Sequence, residues 1–291
     1  MIAYLTNLAS LAAIFGILAA TLNVAVGYAG IFSVAHAVFF GIGAYSGAQV
    51  ALLLVPDALL AMLVAAVISG GLSLCLALPA LRVRGEYFVA ASLGLQMMAV
   101  TLFSEWKSVT GGIGGLTGIP RPHVFGVEVG TLPLALGALV VILLATAALM
   151  RGAFGRTLQA IRDAESAAQA LGKNVAAAKA LAVAFACAGA GVAGALFALH
   201  MQFVNVESFT LDQSVLIMAM VIIGGTGTLL GPLVGAVILL SLPAGLAFLP
   251  FIPATEVGAV QQMIYGLAMT LLMIFRPAGL VGDLSRGKSS A

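Results

Sequence analysis

An all-α bundle of membrane-spanning helices is the fold that this sequence predicts, and three observations predict it. Of 291 residues, 62% are hydrophobic and only 8% are charged, whereas a soluble domain carries about one quarter charged residues. Mean hydropathy is +1.19. The apolar runs are apolar on every side, without the alternation that barrel strands need. In lipid every backbone polar group must bond within the chain, so helices remain.

Charged residues divide the chain into stretches of membrane length, a crossing needing about 20 residues. Residues 1–56 carry no Asp, Glu, Lys or Arg and have room for two crossings, joined at Gly27-Tyr28-Ala29-Gly30. The first is expected to be a retained span. No Lys or Arg precedes Arg82, and the run far exceeds the roughly 15-residue core of a signal peptide. Further charge-free runs are 58–81, 87–104, 129–150, 180–206, 213–255 and 257–275. The run 213–255 is long enough for two crossings broken near Gly231-Pro232, although the piece 224–232 also suits a re-entrant segment. The expectation is a single domain over 1–291 with about nine transmembrane segments, eight to ten being compatible.

Orientation follows from Lys and Arg. With the Arg82/Arg84 loop, the loop 151–179, and Arg276 with the polar tail 277–291 on one side, ten of the twelve basic residues share it. Lys107 and Arg121 are the exceptions. The positive-inside rule places that side in the cytoplasm, hence the N-terminus outside and the C-terminus inside. A nine-span count gives the same parity. Small residues four apart, Gly43/Gly47 and Gly227/Gly231/Gly235, suit close helix packing in lipid. Cys75 and Cys187 lie in separate apolar runs and read as small buried hydrophobes, neither a disulfide nor a metal pair. The net charge of +2 leaves no footprint for nucleic acid.

Two motif matches fail on context. Gly282-Asp283-Leu284-Ser285-Arg286-Gly287-Lys288-Ser289 spells a P-loop, but that site needs a following helix whose N-terminus faces the phosphates. Gly189-Ala190-Gly191-Val192-Ala193-Gly194 spells a dinucleotide fingerprint, yet it sits inside an apolar run without a preceding strand. Helix packing explains it better.

The informative polar stretch runs from Phe154 to Gly172. Leu158, Ile161, Ala164, Ala168 and Leu171 form one apolar stripe at helical spacing. Gln159, Arg162, Asp163, Ser166 and Gln169 cover the other side, and Gly172 stands where a left-handed C′ residue belongs. Such a helix either lies along lipid headgroups or docks into a groove on a partner. Spacing alone leaves both open.

The order Glu165-Ser166-Ala167-Ala168-Gln169-Ala170-Leu171-Gly172 resembles the "EAA" loop of ABC importer permeases in its branched-chain amino acid form. Leu22 to Gly30, Ser33 to Tyr45, Gly224 to Pro232 and Phe275 to Leu280 are similar to the same family. Arg82 to Tyr87 and the Thr110-Gly111-Gly112 loop resemble its LivM-type branch. The resemblance implies a subunit of the bacterial inner membrane that pairs with a homologous permease and two cytoplasmic ATPases. A periplasmic or lipid-anchored substrate-binding protein completes the complex. ATP and magnesium would sit on the partners, and this chain would bind no cofactor or metal and catalyse nothing itself. The cytoplasmic helix would be the coupling helix, with Arg156, Arg162, Asp163 and Glu165 bonding to the ATPase and Ala167, Ala168 and Gly172 keeping the contact close. Where the family often carries a glutamate in the fourth span, this chain has Gln96.

Polar groups inside spans are functional candidates, and Asn23, Ser33, His36 and Gln96 are the candidates for the translocation pathway. Gln49, His200 and Gln202 are further polar outliers. An ion-coupled secondary transporter would bury carboxylates or cations as relays; their scarcity in the charge-free runs argues for energy from ATP instead. A non-transporting subunit or an intramembrane enzyme is the third class. Catalysis needs a constellation of acids, bases or ligands, and three histidines and two cysteines, all scattered, supply none. Ion-driven transport by the chain alone, or activity without partners, would favour these alternatives.

Overall fold

The computed structural model describes residues 2–54, 57–80, 85–246, 257–275 and 279–281. Arg82, Arg84, Arg276 and the P-loop-like residues 282–289 of the polar tail lie outside the described residues.

Helix α1 (Ile2–Asn23) runs on into a π-helical turn (Val24–Tyr28), followed by α2 (His36–Leu53), α3 (Ala58–Ala80) and α4 (Gly85–Glu105). A loop then carries the short α5 (Lys107–Thr110) and strands β1 (Leu116–Thr117), β2 (His123–Val124) and β3 (Val127–Glu128). Helix α6 (Thr131–Arg151) leads into a two-part elbow, α7 (Ala153–Asp163) and α8 (Glu165–Ala170). The long α9 (Val175–Met201), strand β4 (Phe203–Val204), α10 (Leu211–Gly224), α11 (Gly231–Leu246) and α12 (Val257–Phe275) follow. Strand β1 pairs antiparallel with β4, and β2 with β3. The elbow marks one end of the bundle, and the paired strands mark the far end.

Six described helices are long and apolar enough to cross a membrane. They and α10 to α12 fall where the charge-free runs place crossings. The run 213–255 breaks at residues 225–230, and Gly231 opens α11. With 14 and 16 residues, α10 and α11 extend only about 21 and 24 Å at 1.5 Å per residue, short of the ~30 Å hydrocarbon core.

Small residues let α9 run through the middle of the bundle. A Cβ on Gly191 would overlap the backbone of Ala65 and the side chain of Ser69. One on Gly194 would overlap the Phe40 carbonyl, and one on Gly43 the Gly191 backbone. The dinucleotide-like motif is therefore a packing seam between α9, α2 and α3. Around Phe40 the rings of Phe15, Phe197 and Phe209 pack at 5.1–6.2 Å in tilted or edge-on pairs, the arrangement that ring quadrupoles prefer.

Two connections dip back into the bundle. After the π-turn the chain reverses, so α2 starts beside α1, with His36 Nε2 3.5 Å from Thr21 Oγ1. After β4 a 3₁₀ turn (Val206–Phe209) descends, and α10 starts inside the protein. There Gln96 Nε2 donates to the Phe209 carbonyl at 2.7 Å, and Ser214 Oγ donates to Gln96 Oε1 at 3.3 Å. The Ala37 N–H donates to Ser214 Oγ at 3.0 Å. Irregular backbone at such depth is tolerated only where protein or water covers it, and these bonds satisfy it.

Candidate functional site

A cavity of about 80 Å³ lies beside the first turn of α2. Leu22, Phe39, Phe88, Leu95 and Val183 give it apolar walls, and Ser33, His36, Ser92 and Cys187 supply its polar groups. It exists because the 29–35 reversal keeps helix from filling that space. Ser92 Oγ accepts from the Val34 N–H at 3.2 Å, and Ser33 Oγ accepts from Ala35 at 3.3 Å.

The four pathway candidates from the sequence divide into two pairs. Ser33 and His36 line this cavity. Asn23 and Gln96, both fully enclosed, tie elements together instead. Asn23 Nδ2 donates to the Thr228 carbonyl at 2.7 Å, and its Oδ1 accepts from the Gly227 N–H at 2.8 Å. It thereby fastens the 225–230 loop to the end of α1. Gln96 spends both ends of its amide on Phe209 and Ser214. Ser92 and Cys187 also face the cavity; Cys187 reads from sequence as a small buried hydrophobe, and the only sequence signal of Ser92 is a small polar residue within an apolar run. Gln49 Nε2 donates to the Val109 carbonyl at 2.6 Å, His200 Nε2 meets Asn7 Oδ1 at 2.6 Å, and Gln202 takes a left-handed φ of 55° after α9.

At the elbow, the polar stretch kinks at Ala164, whose extended backbone separates α7 from α8. Leu158, Ile161 and Ala168 pack inward, whereas Leu171 is 79% exposed. Helix α8 ends in a Schellman motif: Lys173 N–H bonds to the Ala168 carbonyl and Gly172 N–H to that of Gln169. Gly172 has φ +76°, which favours glycine. The proposed coupling residues face different ways. Arg162 Nη1 donates to the Gly27 carbonyl at 2.6 Å, while its Nε and Nη2 hold Asp163 at 3.0 Å. Glu165 pairs with Lys179 at 2.8 Å, and Arg156 Nη1 donates to the Arg151 carbonyl at 3.3 Å. Ala167 and Gly172 are exposed, and Ala168 is buried.

At the far end Asp57 caps α3 through the N–H groups of Leu59 and Leu60 and accepts a third bond from Phe125. Desolvation, the largest single effect, pushes its carboxyl up, but the three N–H donors together outweigh it and leave the group below its ordinary range. No cluster of metal-ligating side chains occurs among the described residues.

Apolar helices seamed by small residues, with a small cavity inside and a helical elbow at one end, define a polytopic helical membrane protein. The chain belongs to the family described as branched-chain amino acid transport system / permease component, whose model matches residues 4–275. It is 29% identical over 302 positions to the high-affinity branched-chain amino acid transport system permease protein LivM of Salmonella typhimurium, covering 94% of this chain and 69% of that one. It is 28% identical to the protein of the same name from Escherichia coli, with the same coverage. A probable LivM of Methanocaldococcus jannaschii is 23% identical over 77% of this chain and 68% of that one. No solved structure matches the chain significantly.

Proposed function

We propose that this chain is the transmembrane permease subunit of an ATP-driven ABC importer in a bacterial inner membrane, carrying branched-chain amino acids or related small polar solutes. The observation that carries the reading is the elbow. The elbow exposes Ala167, Leu171 and Gly172 at its α8 end, and Arg162 of its α7 half is bonded to Gly27 in the membrane bundle. Movement of the elbow reaches the carbonyl end of α1 directly, and Asn23 passes it to the α10–α11 loop. A partner that pushes on the elbow thus acts on the bundle around the cavity. The names of the relatives support the solute class, and the basic loop 151–179 supports a cytoplasmic elbow.

In this reading two ATPase subunits grip the elbows of this chain and of a homologous permease, and a binding protein delivers solute to the far end. ATP and magnesium stay on the ATPases. The test is purification of the tagged chain from its native membrane followed by reconstitution. ABC ATPases co-purifying in stoichiometric amount, with uptake of labelled leucine or a related solute that requires ATP, support the assignment. Solute uptake by the chain alone, driven by an ion gradient, refutes it.

A further inference from the structure

We infer that the cleft between α10 and α12 faces the aqueous translocation pathway, and that Asp212 is the fixed negative charge a solute's ammonium group meets there. The inference rests on the permease reading above. Asp212 is bracketed in depth by two rulers. Two residues on, Ser214 bonds to Gln96, the midpoint of the span Tyr87–Glu105. Three residues earlier, Phe209 packs at 5.1 Å on Phe40, which packs at 6.2 Å on Phe15 near the middle of the span Ala3–Tyr28. The carboxylate therefore lies near mid-depth of the bundle, and it is exposed there. Among the described residues none donates a hydrogen bond to it or pairs with its charge.

A charged group at mid-depth is costly against lipid and is found facing water or protein. Polar side chains share the cleft with it, beside apolar walls from Val215, Leu216 and Met269. The cleft, about 400 Å³, gathers Gln213, Gln261, Gln262 and Tyr265 around Asp212. Gln261 donates to Tyr265 Oη, and Tyr265 donates to the Leu239 carbonyl at 2.9 Å, so the phenol stays fixed while Gln262 remains exposed. By contrast, Val140, Val141 and Leu144 make a wholly apolar exposed face on α6, as lipid requires. Asp212 lies in the first turn of α10, where the helix dipole favours an anion. An anion in a roomy cleft that also offers amide groups is a counter-charge for a primary ammonium group, the cationic half of an amino acid.

The test uses the reconstituted complex with the exposed Cys75 replaced (Cys75→Ala) and the buried Cys187 kept, after its uptake has been measured. Gln213→Cys and Gln262→Cys should react with a membrane-impermeant thiol reagent many-fold faster than Val141→Cys. Asp212→Asn should lower leucine uptake roughly tenfold, the loss of one charge-assisted hydrogen bond, with ATPase subunits still bound, and Asp212→Glu should restore most of it. Two unreactive cleft cysteines in a complex that transports would overturn the inference while leaving the permease reading intact. Reactive cysteines with full uptake by Asp212→Asn would overturn the role of the charge.

Discussion

The guanidinium of Arg162 bonds to the main-chain oxygen of Gly27, 2.6 Å away and 135 positions earlier in the sequence. Gly30, with φ +68°, lies against the same side chain, and a Cβ there would collide with Arg162 Cγ. The carbonyl end of α1 is thereby joined to the elbow by a charged donor, the stronger kind of hydrogen bond.

Arg162→Ala should separate ATP hydrolysis from transport. The lost bond costs about 1.5–3 kcal/mol before solvent screening at this half-exposed site, so the fold survives. ATP hydrolysed per solute moved should rise several-fold, and an unchanged ratio would remove Arg162 from the coupling route.

Asn23→Ala removes the side-chain partner of both the Gly227 N–H and the Thr228 carbonyl. At about 1–3 kcal/mol for each unsatisfied buried group, the variant should melt well below the parent in detergent. Asn23→Asp keeps the acceptor and loses the donor, and should fall between the two.

Gly43→Leu forces side-chain atoms into the Gly191 backbone and should cost more than the ~1–3 kcal/mol of ordinary overpacking, because neither backbone can yield. A Cβ on Gly71 meets nothing within 4 Å, and Gly71→Leu should fold normally. Yields of monodisperse protein compare the two.

At the far end, protonation of Asp57 removes the acceptor shared by Leu59, Leu60 and Phe125. Its folded carboxyl titrates below its ordinary value of 3.8, so the stabilisation is present above that value and is lost as pH falls through the depressed folded value. Hydrogen exchange in nanodiscs should show these three amides protected at neutral pH and opening together in acid. Asp57→Asn should show weaker protection at every pH.

Much of the architecture is written in the charge pattern. The breaks between charge-free runs lie within a few residues of the helix ends, because a charge is too costly to place casually in lipid. Gly172 also announces its left-handed turn. Counting charges misled in one respect: Asp212 reads as the edge of a loop, yet the descent through Val206–Phe209 carries it to mid-depth. Nothing in the local sequence encodes that descent, which depends on Gln96 from a helix over a hundred residues away. Arg162 is illegible for the same reason. An arginine on the polar face of an amphipathic helix looks solvent-directed until the kink at Ala164 and the open carbonyl of Gly27 are seen together.

The sidedness of the elbow is the most direct measurement. In the Cys75→Ala background, Gln169→Cys on the exposed elbow and Ile113→Cys at the far end are treated with an impermeant thiol reagent. In intact cells Ile113→Cys should label and Gln169→Cys should stay unlabelled until the membrane is opened. Labelling of Gln169→Cys from outside intact cells would contradict a cytoplasmic motor acting on this helix.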